Sequence, residues 1–337
     1  MVGYAWCNAL HVLPTIGLLG DVMLGRGVAA RLAEVAPVDV WSPELRRLCL
    51  SCDLVICNLE CCVSERGTPT DRIPGKPFFF RAPPVAMESL RAIGTAAVGL
   101  ANNHALDYGE RALLDSLEVL GEAGIATAGA GAGEEAARGG VIIEGDGTRV
   151  GLLAVSDHPH QYAAYDDASG IAHADLPRGL PSWLTAELRR LRTECGLVIA
   201  FPHWGPNMNP RTAPWQKKAA AEMLAAGATL VAGHSAHVFH GVGWEADSPV
   251  LFDLGDALDD YAVDPRLRND LGVLALWRPG NAATPVELVG LKLDYCRTDL
   301  AYGKEAEWIA ARLADACGSL GSSVERIAEQ RFRVSPA

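Results

Sequence analysis

Five short stretches of this chain each set a metal-binding or proton-transfer side chain just after an apolar run. They are Gly20-Asp21, Asn58-Leu59-Glu60, Asn102-Asn103-His104, His203-Trp204-Gly205 and Gly233-His234-Ser235-Ala236-His237. The runs before them, TIGLL, DLVIC, AAVGLA, GLVIAFP and TLVA, read as buried strands. In an open α/β sheet, the loops leaving the carboxyl ends of parallel strands converge on one crevice. Carboxylates, an amide and imidazoles delivered there have the chemistry of a divalent-metal centre with a proton-transfer group beside it.

Each residue also has a structural reading. Asp21 could ligate a metal or cap the helix that starts near Gly27. Glu60 ends a buried strand, where an unpaired carboxylate is costly unless a cation or hydrogen bonds stabilise it. Asn103 offers a hard amide oxygen and His104 a proton donor, or both belong to the turn opening the next helix. His203 alone could be a hydrogen-bonded structural histidine. His234 and His237, three apart after a glycine turn, can reach one centre from one loop. Six candidate ligands at strand ends (Asp21, Glu60, Asn103, His203, His234 and His237) are hard to obtain by coincidence, and together they favour the metal reading.

Other residues carry weaker signals. Arg26, Lys76 and Arg81 are cationic candidates for binding a phosphate or carboxylate, or else solvated surface residues. His158 and His160 follow a strand and fit a turn, His240 lies just past the His237 loop, and His11 and His173 have no context. Cys49, Cys52, Cys57, Cys61 and Cys62 contain one C-x-x-C, but no second one follows, so a zinc or iron–sulfur role is disfavoured.

The elements that must position these residues alternate. Helices are expected at GVAARLAEV and PELRRLCLS, the latter opened by Ser42-Pro43 as cap and first-turn proline. RGTPTDRIPGKPFFFRAPP reads as a long loop, a substrate lid or a surface excursion. From Val85 come helix VAMESLRAIG, strand TAAVGLAN, helix GERALLDSLEVLGEAG, a hairpin turning at Asp146-Gly147, helix SWLTAELRRLR, strand GLVIAFP, helix WQKKAAAEMLAAG and strand TLVAG. Residues 241–293 read as strands, and KEAEWIAARLADAC and SVERIAEQRF as two closing helices. Residues 12–300 are thus one domain of α/β (α+β) class, with 301–337 packed on it as helices. Parallel pairing precedes antiparallel pairing.

The chain has 337 residues and a formal charge of −12, which argues against nucleic acid or an anionic membrane as partner. No stretch reaches the roughly 20 apolar residues of a membrane span. The N-terminus lacks a basic n-region, and nine cysteines is an odd count. A cytoplasmic protein with reduced thiols is expected.

The ordered set GDVMLGR, NLE, FFFRAP, ANNHALDYG, HWG and GHSAHV, spanning roughly Gly17 to Asp260, resembles the CapA/PgsA family of bacterial capsule and poly-γ-glutamate synthesis proteins. The resemblance implies a calcineurin-like metallophosphoesterase fold, a four-layer αββα sandwich of two mixed β-sheets. It implies that Asp21 binds one metal, that Glu60 bridges two, that Asn103, His203 and His234 complete the second, that His237 completes the first, and that His104 donates a proton. This chain departs from the pattern in three places. Met23 stands where a histidine is usual, which leaves the first metal short of a ligand. The closing motif is G-H-x-x-H, and FDLGD carries Asp256 where an asparagine is usual. Members of this family are commonly membrane-anchored, and no anchor is visible here.

The expected function is a metal-dependent hydrolase using one or two divalent transition ions (Mn, Zn or Fe). Its substrate would be small or oligomeric and anionic, and the bond a phosphoester or a γ-glutamyl amide. The alternatives are a protein that forms or handles an amide-linked capsule polymer, and a non-catalytic, metal-stabilised assembly protein.

Overall fold

A computed structural model describes residues 13–280 and 283–337, so His11 lies outside the described residues. The first strand, Ile16–Val22, is buried along its whole length, as an apolar run covered on both faces must be. It is central to a ten-stranded sheet. On one side Leu54–Leu59, Thr95–Gly99 and Ala126–Ala128 follow in parallel register. On the other, Leu271–Trp277 and Val286–Asp294 add antiparallel. Asp256–Leu258 and Arg297–Leu300 pair onto this sheet beside the main path.

A second, six-stranded sheet runs Val242–Glu245, Ser248–Leu251, Leu230–Ala232, Leu197–His203, Thr148–Ser156, Val141–Gly145. Its centre is parallel, and its two outer pairs are hairpins. The hairpin between Val141–Gly145 and Thr148–Ser156 turns at Asp146-Gly147, both with positive φ, as that dipeptide predicts. The sheets stack closely: a Cβ added to Gly99 would meet Phe201 Cδ1 at 2.9 Å. Leu184, Leu188 and Leu191 of helix Ser182–Glu194, with Met223 of Pro214–Ala225, cover the outer face of the second sheet. Val28, Leu45 and Leu90, from helices Arg26–Leu32, Pro43–Cys49 and Met87–Ala92, join the core of the first. The result is the expected αββα sandwich of mixed sheets.

Local expectations are met where the caps are explicit. Ser42 Oγ accepts the Leu45 N–H at 3.2 Å, and Pro43 opens that helix. One expectation is corrected. Gly303–Gly318 is a helix, but SVERIAEQRF is a hairpin, Ser322–Ala328 with Arg331–Pro336. Its Glu, Arg and Ala favour a helix locally, yet Phe332 and Val334 alternate with Arg331 and Arg333 at period two. Those two residues are buried where the strand pairs with the edge of Val286–Asp294, so sheet extension overrides propensity.

Candidate metal centre

The first strand is bulged around Asp21: its register shifts against Leu54–Leu59 between Leu18 and Asp21, and against Asp256–Leu258 between Asp21 and Val22. Such a bulge re-aims a side chain. Gly20 makes the bend possible, since a Cβ there would stand 1.9 Å from Gly255 O. Asp21 N donates to that same carbonyl at 3.1 Å. The Asp21 carboxylate accepts Asn58 Nδ2 at 2.7 Å and Ser235 N at 3.1 Å.

The closing loop is strained. Ser235 and His237 have φ of 116° and 58°, conformations that cost a non-glycine residue about 1–3 kcal/mol each. Three bonds hold the loop there: Ala236 N to Asp253 Oδ2 at 2.9 Å, Met208 N to Ala236 O at 2.9 Å, and Ser235 Oγ to Gly205 O at 3.1 Å.

Two clusters of ligand atoms result, each within 4.8 Å, and Asp21 belongs to both. One is Asp21, His203 and His234; the other is Asp21, Glu60, His237 and Asp256. His234 Nδ1 lies 3.3 Å and His203 Nδ1 3.8 Å from Asp21 Oδ1, and the two imidazole nitrogens are 2.8 Å apart. Asn103 Oδ1 sits 2.9 Å from His203 Nε2. His237 Nδ1 is 2.8 Å from Asp256 Oδ1 and 3.6 Å from Asp21 Oδ2. Tyr261 donates its hydroxyl to Glu60 Oε2 at 3.2 Å.

The electrostatics are those of acids crowded out of water. Burial, then the charge of Asp21, pushes Glu60 well above the usual carboxylate range. Burial likewise raises Asp256, and it raises Asp253 to about 8. Burial would raise Asp21 too, but the hydrogen bond and charge of His234 outweigh it and hold Asp21 low. Burial opposes a charge on His237, yet Asp256 and Glu60 prevail and raise its pKa well above 6.5. His203 is held neutral by burial and by His234.

A cation suits this donor set. Among the described residues, Glu60 Oε1, His234 Nε2 and Asp256 Oδ2 are buried without a hydrogen-bond partner, and all three residues belong to the clusters. Buried polar atoms are normally satisfied, and buried carboxylates in such numbers call for a counter-charge. Mixed carboxylate and imidazole donors match Mn, Zn or Fe.

His104 belongs to neither cluster. Its Nε2 faces Glu60 Oε1 at 3.9 Å, while Nδ1 is 2.6 Å from Asp107 Oδ2. Asp107, fully buried, also accepts Phe80 N at 2.7 Å, Lys76 Nζ at 2.7 Å and Tyr162 OH at 3.2 Å. The Phe80 ring stacks on His104 with centroids 3.9 Å apart. Burial lowers His104 to about 4 against the pull of Asp107, so the ring is neutral at pH 7.

Of the three cationic candidates, Lys76 reaches the site, and its charge is directed to Asp107 and Asn103 O. Arg26 pairs with Asp260 at 2.7 Å and lies over the rings of Phe78, Phe80 and Tyr261. Arg81 is turned to the carbonyls of Arg66 and Gly67. Met23 is buried, its sulfur 3.0 Å from Gly25 N. His158 pairs with Asp157, and its ring lies 5.3 Å from that of His203. Among the described residues the cysteines are free and belong to no ligand cluster. No described helix is long and apolar enough to cross a membrane. Two residues of the site stood outside the sequence-derived set. Asp256 was marked there only by the departure FDLGD; Asp107 was not singled out, although it lies three residues after His104 in ANNHALDYG.

The profile of the family described as "Bacterial capsule synthesis protein PGA_cap" matches residues 15–261. A Mycobacterium tuberculosis protein named "Probable polyglutamine synthesis accessory protein" is 29% identical over 96% of both chains. The "Capsule biosynthesis protein CapA" of Bacillus anthracis is 26% identical, across 73% of this chain and 60% of its own. The "PGA biosynthesis protein CapA" of Bacillus subtilis is 22% identical, across 72% and 62%.

Proposed function

Because the chain belongs to the bacterial capsule synthesis family PGA_cap, we propose that its buried centre makes it a metal-dependent hydrolase of an anionic small or oligomeric substrate. Asp21, His203 and His234, with the Asn103 oxygen nearby, would hold one ion. Asp21, Glu60, His237 and Asp256 would hold a second. A bound divalent ion polarises a substrate oxygen and lowers the pKa of water from 15.7 towards about 7.

The observation that carries the reading is the His104–Asp107 pair. A fourth imidazole, beside those of His203, His234 and His237, kept off both ligand clusters yet aimed at them, is not needed to hold a metal. With Nδ1–H donated to Asp107, Nε2 is a free lone pair facing the centre. It can take a proton from the attacking water and hand it to the leaving group, while Asp107 stabilises the transient imidazolium. Such a relay is worth about 10²–10⁴-fold. Phe80, stacked on the ring, fixes its plane and shields it from water. The relatives are named for polyglutamine synthesis, capsule biosynthesis and PGA biosynthesis, so a γ-glutamyl amide stands beside a phosphoester as the bond cleaved.

One observation favours the metal-stabilised assembly alternative: Asp21, Glu60, His203 and His234 are each at most 1% exposed, which suits a closed structural site. The test is to quantify metal in protein purified without chelator and to screen it against phosphoester and γ-glutamyl panels. Metal-dependent turnover supports the hydrolase. Full metal loading with no turnover on either panel would favour assembly.

A further inference from the structure

A cleft of about 330 Å³ adjoins the loops that follow His203 and His237, and no residue of either ligand cluster lines it. Its walls carry three cations, Arg211, Lys217 and Arg312, and one acid, Asp315. Among the described residues none of the three cations is ion-paired. Arg312 is half-buried, and burial holds its pKa below the ordinary arginine range. Its Nε and Nη2 both donate to Phe239 O, at 3.1 and 2.8 Å, and the guanidinium lies over the Phe239 and Trp308 rings. The arginine is thereby fixed in place on the cleft wall, and Asp253 and Asp315, the acids whose charge bears on it, form no ion pair with it among the described residues.

A fourth group points the same way. His240, 4% exposed, donates Nε2 to Asn209 O at 2.8 Å, while its Nδ1 is buried without a partner among the described residues. A partly desolvated cation is costly until an anion arrives, and the unprotonated Nδ1 is an acceptor that the P–OH of a hydrogenphosphate can satisfy.

We infer that this cleft is a phosphate-binding site distinct from the metal centre. Three cations against one acid leave an excess that matches a phosphate dianion better than a single carboxylate, and Arg211, Lys217 and the Nη1 of Arg312 that Phe239 leaves free can each donate to a tetrahedral oxygen.

The test is calorimetric titration of the full chain with inorganic phosphate, comparing wild type with Arg211→Ala/Lys217→Ala at equal metal content. Both substituted side chains are exposed, so the fold is not at stake. Phosphate at the metal centre contributes equally to both proteins, and the difference isolates the cleft. The wild type is expected to bind one phosphate more than the variant, or that phosphate at least about tenfold more tightly. Glutamate, titrated in parallel, is expected to bind the cleft more weakly. Identical phosphate stoichiometry and affinity in the two proteins would overturn the site, and tighter binding of glutamate would overturn its assignment to phosphate.

Discussion

Asp256 lies opposite Asp21 in the parallel pairing of Asp256–Leu258 with Ile16–Val22, and both carboxylates are buried. This changes what the absence of a histidine at Met23 implies. From sequence, the first metal has only Asp21, Glu60 and His237 and should be weak. In the fold, Asp256 supplies a fourth ligand atom to that cluster. Two ions of comparable affinity are therefore expected on titration of the demetallated protein, and Asp256→Ala should leave one. A wild type that takes up a single ion would show that Asp256 does not ligate.

Gly20→Ala should separate the two aspartates. The new methyl would meet Gly255 O at 1.9 Å, so the strand carrying Asp256 must move. A loss of about 1–3 kcal/mol in stability is expected, with reduced metal uptake. Denaturant unfolding and metal titration of one sample check both, and unchanged uptake in the variant would detach Gly20 from the site.

Asp107→Ala should cost about 3–5 kcal/mol, because it leaves the Lys76 ammonium buried without its counter-ion. Adding Lys76→Met should recover much of that loss, since removing both charges is cheaper than stranding one. A double variant no more stable than Asp107→Ala would show that the ion pair is not the cause.

His240 gives a pH dependence away from the ligands. Burial holds its folded pKa at about 4, below the 6.5 of an exposed histidine. Between those values the unfolded chain binds the proton and the folded chain does not, so acidification favours unfolding. In phosphate-free buffer the wild type should lose on the order of 3 kcal/mol more than His240→Gln between pH 6.5 and pH 4. Parallel stability curves for the two proteins would contradict this.

The alternation of strands and helices was legible because the strands are apolar runs and the longer helices carry periodic stripes, with Ser42-Pro43 as an explicit helix start; the four-layer sandwich was what the family resemblance implied. The six ligand candidates were legible because each ends such a run. What the sequence hid was non-local. Asp256 meets Asp21 only through a bulge and a glycine contact, and Asp107 meets Lys76 across a long loop with no periodicity. The terminal hairpin was hidden differently: the charged residues of SVERIAEQRF favour a helix, and only the open edge of Val286–Asp294 makes it a strand.

In the proposed reaction His104 moves a proton without holding a metal. The most direct measurement is hydrolysis by wild type and His104→Ala, each reloaded to the same metal stoichiometry, on whichever phosphoester or γ-glutamyl substrate the wild type cleaves. Equal metal content and a rate lower by about 10²–10⁴-fold in the variant are expected. Turnover within a few-fold of wild type would contradict it, and His104 would then be a turn residue held by Asp107.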